Sequence, residues 1–274
     1  MKVKTVWAMY FSATGTTKAV AVTMADRLAE LLQAECRELD FTLPASRKQS
    51  ICFCATDLVV FATPVYAGRV PNVLLPYIKT IGGGHALAIP IVLYGNRNYD
   101  DGLIELRDLL TTNQFHTVAA AAFIGEHSFS TILGAGRPDK ADLVVLEKFA
   151  QQAARKIAFS EGLPTAMISV KGTSYPYRGY YQPRDRQGIP VDIRKVRPLT
   201  DQNCNDCKFC AEICPMGAIS YENIHEFITI CIKCGACIKK CPQGAKYYED
   251  SGYLYHQREL EEEYIRRAEP ELFL

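Results

Sequence analysis

The cysteines are the feature that most constrains how this 274-residue chain can fold. Eight of the eleven lie in two copies of one spacing, C-x2-C-x2-C-x3-C-P. Disulfide frameworks belong to small secreted chains, so clustered spacing of this kind points to metal. We interpret the remaining three, Cys36, Cys52 and Cys54, as small hydrophobic residues. The two copies are Cys204, Cys207, Cys210, Cys214 with Pro215, and Cys231, Cys234, Cys237, Cys241 with Pro242.

The spacing distinguishes an iron–sulfur cluster from a zinc site. Zinc takes four thiolates from two C-x2-C pairs that a longer loop separates. A cubane cluster needs thiolates at four corners, and two successive two-residue gaps let a short backbone segment curl around three of them. The fourth thiolate must then come from elsewhere in the chain. The third cysteine and the Cys-Pro step therefore favour iron–sulfur clusters over zinc.

This region resembles the bacterial two-cluster ferredoxins, in which the cysteine before proline ligates the other cluster. The resemblance implies a small α+β ferredoxin-like domain with two 4Fe–4S clusters. It assigns the first cluster to Cys204, Cys207, Cys210 and Cys241, and the second cluster to Cys231, Cys234, Cys237 and Cys214.

The part of the chain before the cysteine region alternates strand-like and helix-like segments. Near-continuous apolar runs are typical of parallel strands that are covered on both faces. Five strands with crossover helices predict an α/β fold with a doubly wound, five-stranded parallel sheet. The predicted strands are Lys4–Phe11, Glu35–Phe41, Leu58–Thr63, Leu87–Tyr94 and Thr117–Ile124, and the predicted helices are Thr17–Gln33, Asn72–Ile81, Gly102–Thr112 and Ala141–Ser160.

Changes in composition divide the chain into four parts. We predict an α/β domain at 1–163, an extended connector at 164–200, the cysteine domain at 201–248 and a charged tail at 249–274, helical over Glu259–Ala268. The connector combines an excess of basic residues with four tyrosines, a composition that does not suit a solvated linker. We expect it to dock on the α/β domain; the alternative is an exposed basic arm for an acidic partner. The tyrosines are Tyr175, Tyr177, Tyr180 and Tyr181.

The first predicted strand leads into a hydroxyl-rich turn that opens a helix. Hydroxyls and unsatisfied backbone N–H groups at a helix N-terminus form a phosphate site. The turn matches neither the Walker A loop nor the G-x-G-x-x-G dinucleotide turn. The candidate phosphate-binding residues are Ser12, Thr14, Gly15, Thr16 and Thr17.

This strand, turn and helix at the start of a five-stranded α/β domain resemble the flavodoxin family. The resemblance implies FMN, with its isoalloxazine ring between the loops that follow the third and fourth strands. Tyr66 and Tyr99 are the candidates to stack on the ring; the alternative is that these two tyrosines anchor their loops. Gly68 and Gly95 are the candidates for close backbone approach. The candidate ring-binding residues of these loops are Pro64, Tyr66, Gly68, Gly95, Asn96, Asn98 and Tyr99.

Three charged or titratable side chains leave alternatives open around the predicted flavin. Arg69 and Arg97 flank the ring site; they either stabilise an anionic reduced flavin or extend into solvent. His127 follows the last strand on the same rim, and imidazole titrates near neutrality. It is a weak candidate for a catalytic proton donor, and its alternative role is to order the loop or to dock the second domain.

Bulk properties exclude several classes of function. The formal net charge of +1 provides no general attraction for nucleic acid or for an anionic membrane. The N-terminus lacks the features of a signal peptide, and no run approaches the roughly 18 apolar residues of a membrane span. We expect a cytoplasmic protein.

As a whole, the chain resembles the flavodoxin–ferredoxin fusion proteins of anaerobic bacteria and archaea, sometimes called ferrodoxins. The resemblance implies an electron carrier that moves electrons between FMN, two 4Fe–4S clusters and an external redox partner protein. The alternative is an enzyme, a ferredoxin-dependent flavin reductase that acts on a small molecule. A nucleotide-dependent reductase is less favoured, because the sequence has no second nucleotide-binding fingerprint.

Overall fold

The computed structural model describes residues 2–160, 162, 167–185 and 187–274. The predicted domain boundary between residues 163 and 164 lies outside these ranges. The strands are β1 Thr5–Tyr10, β2 Glu35–Asp40, β3 Asp57–Pro64, β4 Leu87–Tyr94, β5 His116–Thr117, β6 Ala120–Ile124, β7 Leu199–Thr200, β8 Lys246–Tyr247 and β9 Glu271–Phe273. The helices are α1 Thr16–Leu32, α2 Leu75–Ile78, α3 Gly102–Thr112, α4 Lys140–Phe159, α5 Phe209–Glu212, α6 Ala236–Lys239 and α7 Ser251–Glu263.

The large sheet has the order β2-β1-β3-β4-β6-β9, and β5 pairs with β4 ahead of β6. The pairings from β2 to β6 are parallel, whereas β9 is antiparallel to β6. The predicted doubly wound parallel sheet is confirmed. With β6 counted as the fifth strand, its parallel strands follow the flavodoxin order 2-1-3-4-5. In that order, ligands bind beyond the carboxyl ends of the strands at the β1/β3 switch point.

Two apolar layers cover the two faces of this sheet. Strand β4 is buried along its whole length, and β3 is buried except at its last residue, as expected for central parallel strands. Helix α1 presents a stripe at helical spacing, including Val20, Met24 and Leu28, to one face. The other face packs against α3, and its core includes Cys234 and Ala236 from the cysteine domain. The small domain is therefore built into the core of the large one.

The C-terminal tail differs from its sequence prediction. The helix begins at Ser251 and ends at Glu263, so it overlaps only part of the predicted Glu259–Ala268. The chain then returns to the sheet, where β9 pairs with β6 as an edge strand. The end of the tail forms a strand because β6, which is far away in sequence, supplies an edge for it to pair with. Local composition does not indicate such a distant partner.

The connector lies against the α/β domain. Asp101, which is fully buried, accepts hydrogen bonds from the backbone N–H groups of Thr173 and Arg178, each at 2.8 Å. The hydroxyl of Tyr177 donates to Asp108 at 2.8 Å, and that of Tyr180 donates to the carbonyl oxygen of Val70 at 3.0 Å. These contacts favour the docked connector over the exposed arm.

The small domain has little regular structure. Strands β7 and β8 form an antiparallel pair, and α5 and α6 follow the first two cysteines of the two copies. Lys208 and Gly235 begin these helices in the left-handed backbone region. Among the residues that the structure describes, no helix is both long enough and apolar enough to cross a membrane.

Candidate functional site

The turn between β1 and α1 forms a cradle of backbone donors. The hydroxyl of Ser12 accepts the backbone N–H of Lys18 at 2.9 Å, and the N–H of Ser12 donates to Thr42 Oγ1 at 2.8 Å. Within the described part of the chain, the five backbone N–H groups of residues 13–17 donate to no protein acceptor. Unsatisfied donors at the N-terminus of a helix attract an anion. The cradle therefore fits a phosphate group.

A pocket opens beside this cradle at the carboxyl ends of β1, β3, β4 and β6. Its wall contains six of the candidate flavin residues, and Ser12 and Gly15 lie in the same turn. The loop after β6 contributes more of the wall than the sequence indicated, and one residue comes from the cysteine domain. The lining residues are Ala13, Thr14, Thr16, Thr17, Pro64, Val65, Tyr66, Leu93, Tyr94, Gly95, Gly125, Glu126, His127, Ser128 and Cys234.

Tyr99 is a correction to the predicted ring contacts. It is 4% exposed, lies 5.5 Å from the ring of Tyr94 and donates its hydroxyl to Glu271 at 3.0 Å. Tyr94 lines the pocket instead. The sequence could not show this exchange, because Tyr99 points toward β9, whose position was not predicted.

Three further candidates lie off the pocket wall. Asn96 is buried and donates through its amide to the carbonyl oxygens of Tyr264 and Arg266, each at 2.6 Å, so it holds the tail. Asn98 is exposed and accepts only the N–H of Asp100. Gly68 has a φ of 78° in a tight turn, and a Cβ atom there would collide with the side chain of Asp100.

The two arginines of the predicted ring site are held by the protein. Arg69 pairs with Glu105 at 2.6 Å, and its guanidinium lies 4.7 Å from the ring centre of Tyr177. Arg97 pairs with Asp100 and lies 4.5 Å from the ring centre of Tyr181. Both side chains therefore contact the connector rather than extend freely into solvent.

His127 contributes a neutral wall to the pocket. Burial and the nearby Lys239 cation lower the pKa of His127 to about 3, so the imidazole is uncharged near pH 7. Its Nδ1 accepts the backbone N–H of Phe129 at 3.1 Å, which leaves the proton on Nε2. A Cβ atom on Gly95 would collide with this ring, so the glycine makes room for the histidine.

The eight motif cysteines surround two separate cavities. One cavity is lined by Cys204, Cys207, Cys210 and Cys241, together with Lys208, Ile224 and Lys246 among others. The other is lined by Cys231, Cys234, Cys237 and Cys214, together with Ile219, Phe227 and Tyr248 among others. In each case the cysteine before proline comes from the opposite copy, which is the grouping that the ferredoxin resemblance implies. Four thiolates around an apolar cavity form a donor set suited to a 4Fe–4S cluster.

A buried cation lies near both sets of cysteines. Lys246 is 3% exposed and donates to Thr200 Oγ1 at 2.5 Å and to the carbonyl oxygen of Ile224 at 2.6 Å. Burial raises the pKa of the Cys210 and Cys237 thiols, and the Lys246 cation opposes that increase at both. The lysine therefore favours the thiolate forms that ligate iron. The equivalent position in the first copy is Ile219, so the sequence repeat did not indicate a role for Lys246.

The pocket and the second cysteine set share a wall. Cys234 lines both cavities. Burial raises the pKa of Tyr66, and the nearby thiolates of Cys234 and Cys231 raise it further. Tyr66 therefore lies on the pocket wall within electrostatic reach of two thiols of the second cysteine set.

The two domains are locked together at this wall. Lys239 forms an ion pair with Glu126 and donates to the carbonyl oxygens of His127 at 2.7 Å and Ser130 at 2.8 Å. A Cβ atom on Gly235 would lie 2.6 Å from the carbonyl oxygen of Ser128. The second copy therefore needs glycine where the first has Lys208, because its loop touches the backbone of the pocket rim.

A second contact holds the other side of the cysteine domain. Arg47 donates to the carbonyl oxygen of Pro215 at 2.6 Å and also to the carbonyl oxygens of Phe41 and Thr42. Pro215 follows Cys214, so this arginine fixes the segment that brings a first-copy cysteine to the second set. Neither Arg47 nor Lys239 carries a motif that would have identified it in the sequence.

Comparison with known proteins gives a family match for the cysteine region and distant structural similarities for the rest of the chain. Residues 203–250 match the family model of the 4Fe–4S dicluster domain, whereas no curated protein matches the sequence. A flavodoxin from the domain Archaea is 12% identical, with a TM-score of 0.42 over 57% of this chain and 99% of its own. A Streptococcus pneumonia TIGR4 flavodoxin is 17% identical, with a TM-score of 0.38 over 56% and 99%. An NADH:FMN oxidoreductase is 14% identical, with a TM-score of 0.41 over 58% and 92%.

The fold assignment of the large domain comes from its own strand order, β2-β1-β3-β4-β6, rather than from these distant similarities. In one chain the protein joins an α/β fold with the flavodoxin strand order to a region that matches the 4Fe–4S dicluster domain, a combination that supports a redox role.

Proposed function

We propose that the protein is an electron carrier that passes electrons between FMN, the second cluster and the first cluster, and exchanges them with an external redox protein. The observation that supports this proposal is Cys234, which lines both the pocket and the cavity of the second cysteine set. Cys234 is buried, so one buried side chain adjoins both cofactor sites.

The pocket suits FMN for two reasons. Its cradle of free N–H groups lies at the start of α1, where a phosphate binds favourably. Its remaining wall lies at the β1/β3 switch point, where FMN binds in the flavodoxin strand order. FMN exchanges one or two electrons, whereas each cluster exchanges one, so the pair can convert between the two modes of transfer.

The protein side chains order the three sites. Cys234 lines both the pocket and the cavity of the second cysteine set, so we expect the second cluster to be the one nearer the flavin. Cys207 of the first set is exposed, which supports a first cluster near the surface that an external redox protein can approach. Lys239 and Arg47 hold the two domains in contact. Electron transfer between the domains therefore needs no diffusional encounter.

The geometry favours the carrier over the flavin reductase. A reductase needs an open face above the flavin and a proton donor there. Here the loop that carries Cys234 and Gly235 covers one side of the pocket. The remaining donor candidate, His127, is neutral near pH 7 and has its Nδ1 already engaged.

A reoxidation experiment separates the two functions. Anaerobically reconstituted protein should carry about one FMN and about eight irons per chain, as two four-iron clusters and one pocket require. Reduced protein should reoxidise slowly with small organic acceptors and rapidly with a redox protein such as a cytochrome. Rapid multiple turnover with small acceptors alone would establish a reductase. Four irons or fewer would overturn the two-cluster assignment.

A further inference from the structure

The cavity of the second cysteine set contains a phenol without a partner. Tyr248 lines this cavity. Its hydroxyl is fully buried and, among the described residues, finds no acceptor with hydrogen-bond geometry. The hydroxyl of the neighbouring Tyr253 is likewise buried without a partner at hydrogen-bond geometry. An unsatisfied buried hydroxyl costs about 1–3 kcal/mol, and a cluster bound in this cavity would supply an acceptor that relieves this cost.

The packing around Tyr248 fixes where its hydroxyl can reach. Its ring stacks on that of Tyr253 with centres 3.9 Å apart and planes 29° apart, and Tyr253 is only 1% exposed. Burial raises the pKa of Tyr248, and Tyr253 and the thiolates of Cys231 and Cys237 raise it further. Tyr248 and all four cysteines of the second set line the same cavity, so the phenol lies beside the space that the cluster would occupy.

The sequence repeat provides an internal comparison. Tyr221 occupies the position in the first copy that Tyr248 occupies in the second, seven residues after the Cys-Pro cysteines Cys214 and Cys241. Tyr221 is 55% exposed and does not line the cavity of the first set. The two cysteine sets therefore differ in this donor although the sequence repeats.

We infer that the Tyr248 hydroxyl donates a hydrogen bond to a sulfur atom of the second cluster and makes that cluster easier to reduce than the first. The inference rests on the proposed function only in requiring that the second cluster is bound. A hydrogen bond to sulfur stabilises the more negative, reduced form, and such bonds are among the factors that set cluster potentials. Tyr248 thus acts as a tuning residue that favours electron occupancy next to the flavin pocket.

The matched variants Tyr248→Phe and Tyr221→Phe test this inference. Each variant loses only a hydroxyl, so Tyr248→Phe retains the ring stack on Tyr253. An anaerobic redox titration followed by electron paramagnetic resonance would measure each cluster, with Cys207→Ser used to assign the signals. Tyr248→Phe should make the second cluster about tenfold harder to reduce, a shift of about 59 mV for one electron, and Tyr221→Phe should leave both clusters unchanged.

A second substituted protein keeps the inference testable if Tyr248→Phe loses the second cluster. Placing 3-fluorotyrosine at position 248 makes the phenol a stronger donor and should shift the second cluster in the opposite direction. Unchanged potentials in both substituted proteins, or equal shifts in Tyr221→Phe, would overturn the inference. A wild-type protein that binds four irons or fewer would instead contradict the proposed function, so the two failures are distinguishable.

Discussion

At the scale of single residues, the contact between the domains depends on one glycine and one lysine. Gly235 lets the second cysteine loop touch the carbonyl oxygen of Ser128. Lys239, four residues later, closes the contact by binding Glu126 and two carbonyl oxygens of the same rim. Since Lys239 is 13% exposed in its side chain, its charge is largely removed from water and depends on these partners.

Lys239→Met should weaken this contact. The change removes hydrogen bonds of a charged group, worth about 1.5–3 kcal/mol, and leaves Glu126 without its cation. Urea unfolding should show a loss of about 2–3 kcal/mol, accompanied by faster proteolysis between the domains. Lys240→Met is the matched control, because Lys240 is exposed and should change stability little. Equal stability of the two variants would show that the contact is held by apolar packing alone.

The phosphate cradle leads to a second prediction at the residue scale. Thr14→Val combined with Thr16→Val removes two hydroxyls from the pocket wall and keeps the side-chain shape. Each hydrogen bond to a charged phosphate oxygen is worth about 1.5–3 kcal/mol, so fluorescence titration should show FMN affinity lowered by at least tenfold. Iron content should not change. Unaltered affinity would mean that backbone N–H groups alone hold the phosphate.

At the scale of elements, the tail and the connector are fastened by buried polar side chains. Asn96, at a φ of 66°, binds Tyr264 and Arg266 and also accepts the N–H of Ala268 at 3.2 Å. Asp101 holds the connector through two backbone N–H groups. Both residues lie in the loop after β4, so this loop organises the segments that surround the pocket.

Asn96→Ala should detach the tail. Three hydrogen bonds of about 1 kcal/mol each are lost, so unfolding should become easier by about 3 kcal/mol, and β9 amides should exchange faster with solvent. Glycine suits the left-handed backbone at this position. Asn96→Gly should therefore show the same fast amide exchange in β9 with a smaller loss of stability. The exposed Asn98→Ala should behave like wild type. Slow exchange of β9 in the alanine variant would contradict this role for Asn96.

Asp101→Ala should release the connector. The N–H groups of Thr173 and Arg178 lose their acceptor, at about 0.5–1.5 kcal/mol for each hydrogen bond. Trypsin should then cut after Arg178 much faster than in wild type. Helix α3 should persist, because Asp101 makes no side-chain cap bond to it. A connector that resists trypsin in this variant would show that its tyrosines suffice for docking.

The elements also show what the sequence can and cannot predict. Strands such as β3 and β4 were predictable, because a buried parallel strand requires a run of apolar residues. The cysteine sets and the phosphate turn were predictable, because their chemistry requires fixed spacing. Strand β9 and the role of Asn96 were not predictable, since each depends on a partner that is distant in sequence. Tyr99 was misplaced for the same reason.

At the scale of the whole molecule, the sites form a series. The pocket adjoins the second cysteine set through Cys234, which belongs to the apolar core of the large domain. The first set lies beyond it and reaches the surface at Cys207. In the proposed electron path, the second cluster lies between FMN and the first cluster, and the first cluster is the one nearer the surface.

Serine substitutions in the two sets should therefore have unequal effects. Cys207→Ser should damage the first cluster and leave both FMN binding and FMN–second cluster electron exchange intact, because this cysteine contacts only its own cavity. Cys234→Ser should stop electron exchange with FMN and also weaken FMN binding, because its side chain is 8% exposed within the shared wall. Stopped-flow absorbance under anaerobic conditions, with iron and flavin content measured in parallel, distinguishes the two. If Cys207→Ser abolished FMN exchange while Cys234→Ser preserved it, the first cluster would be the one next to the flavin, and the proposed order of sites would be wrong.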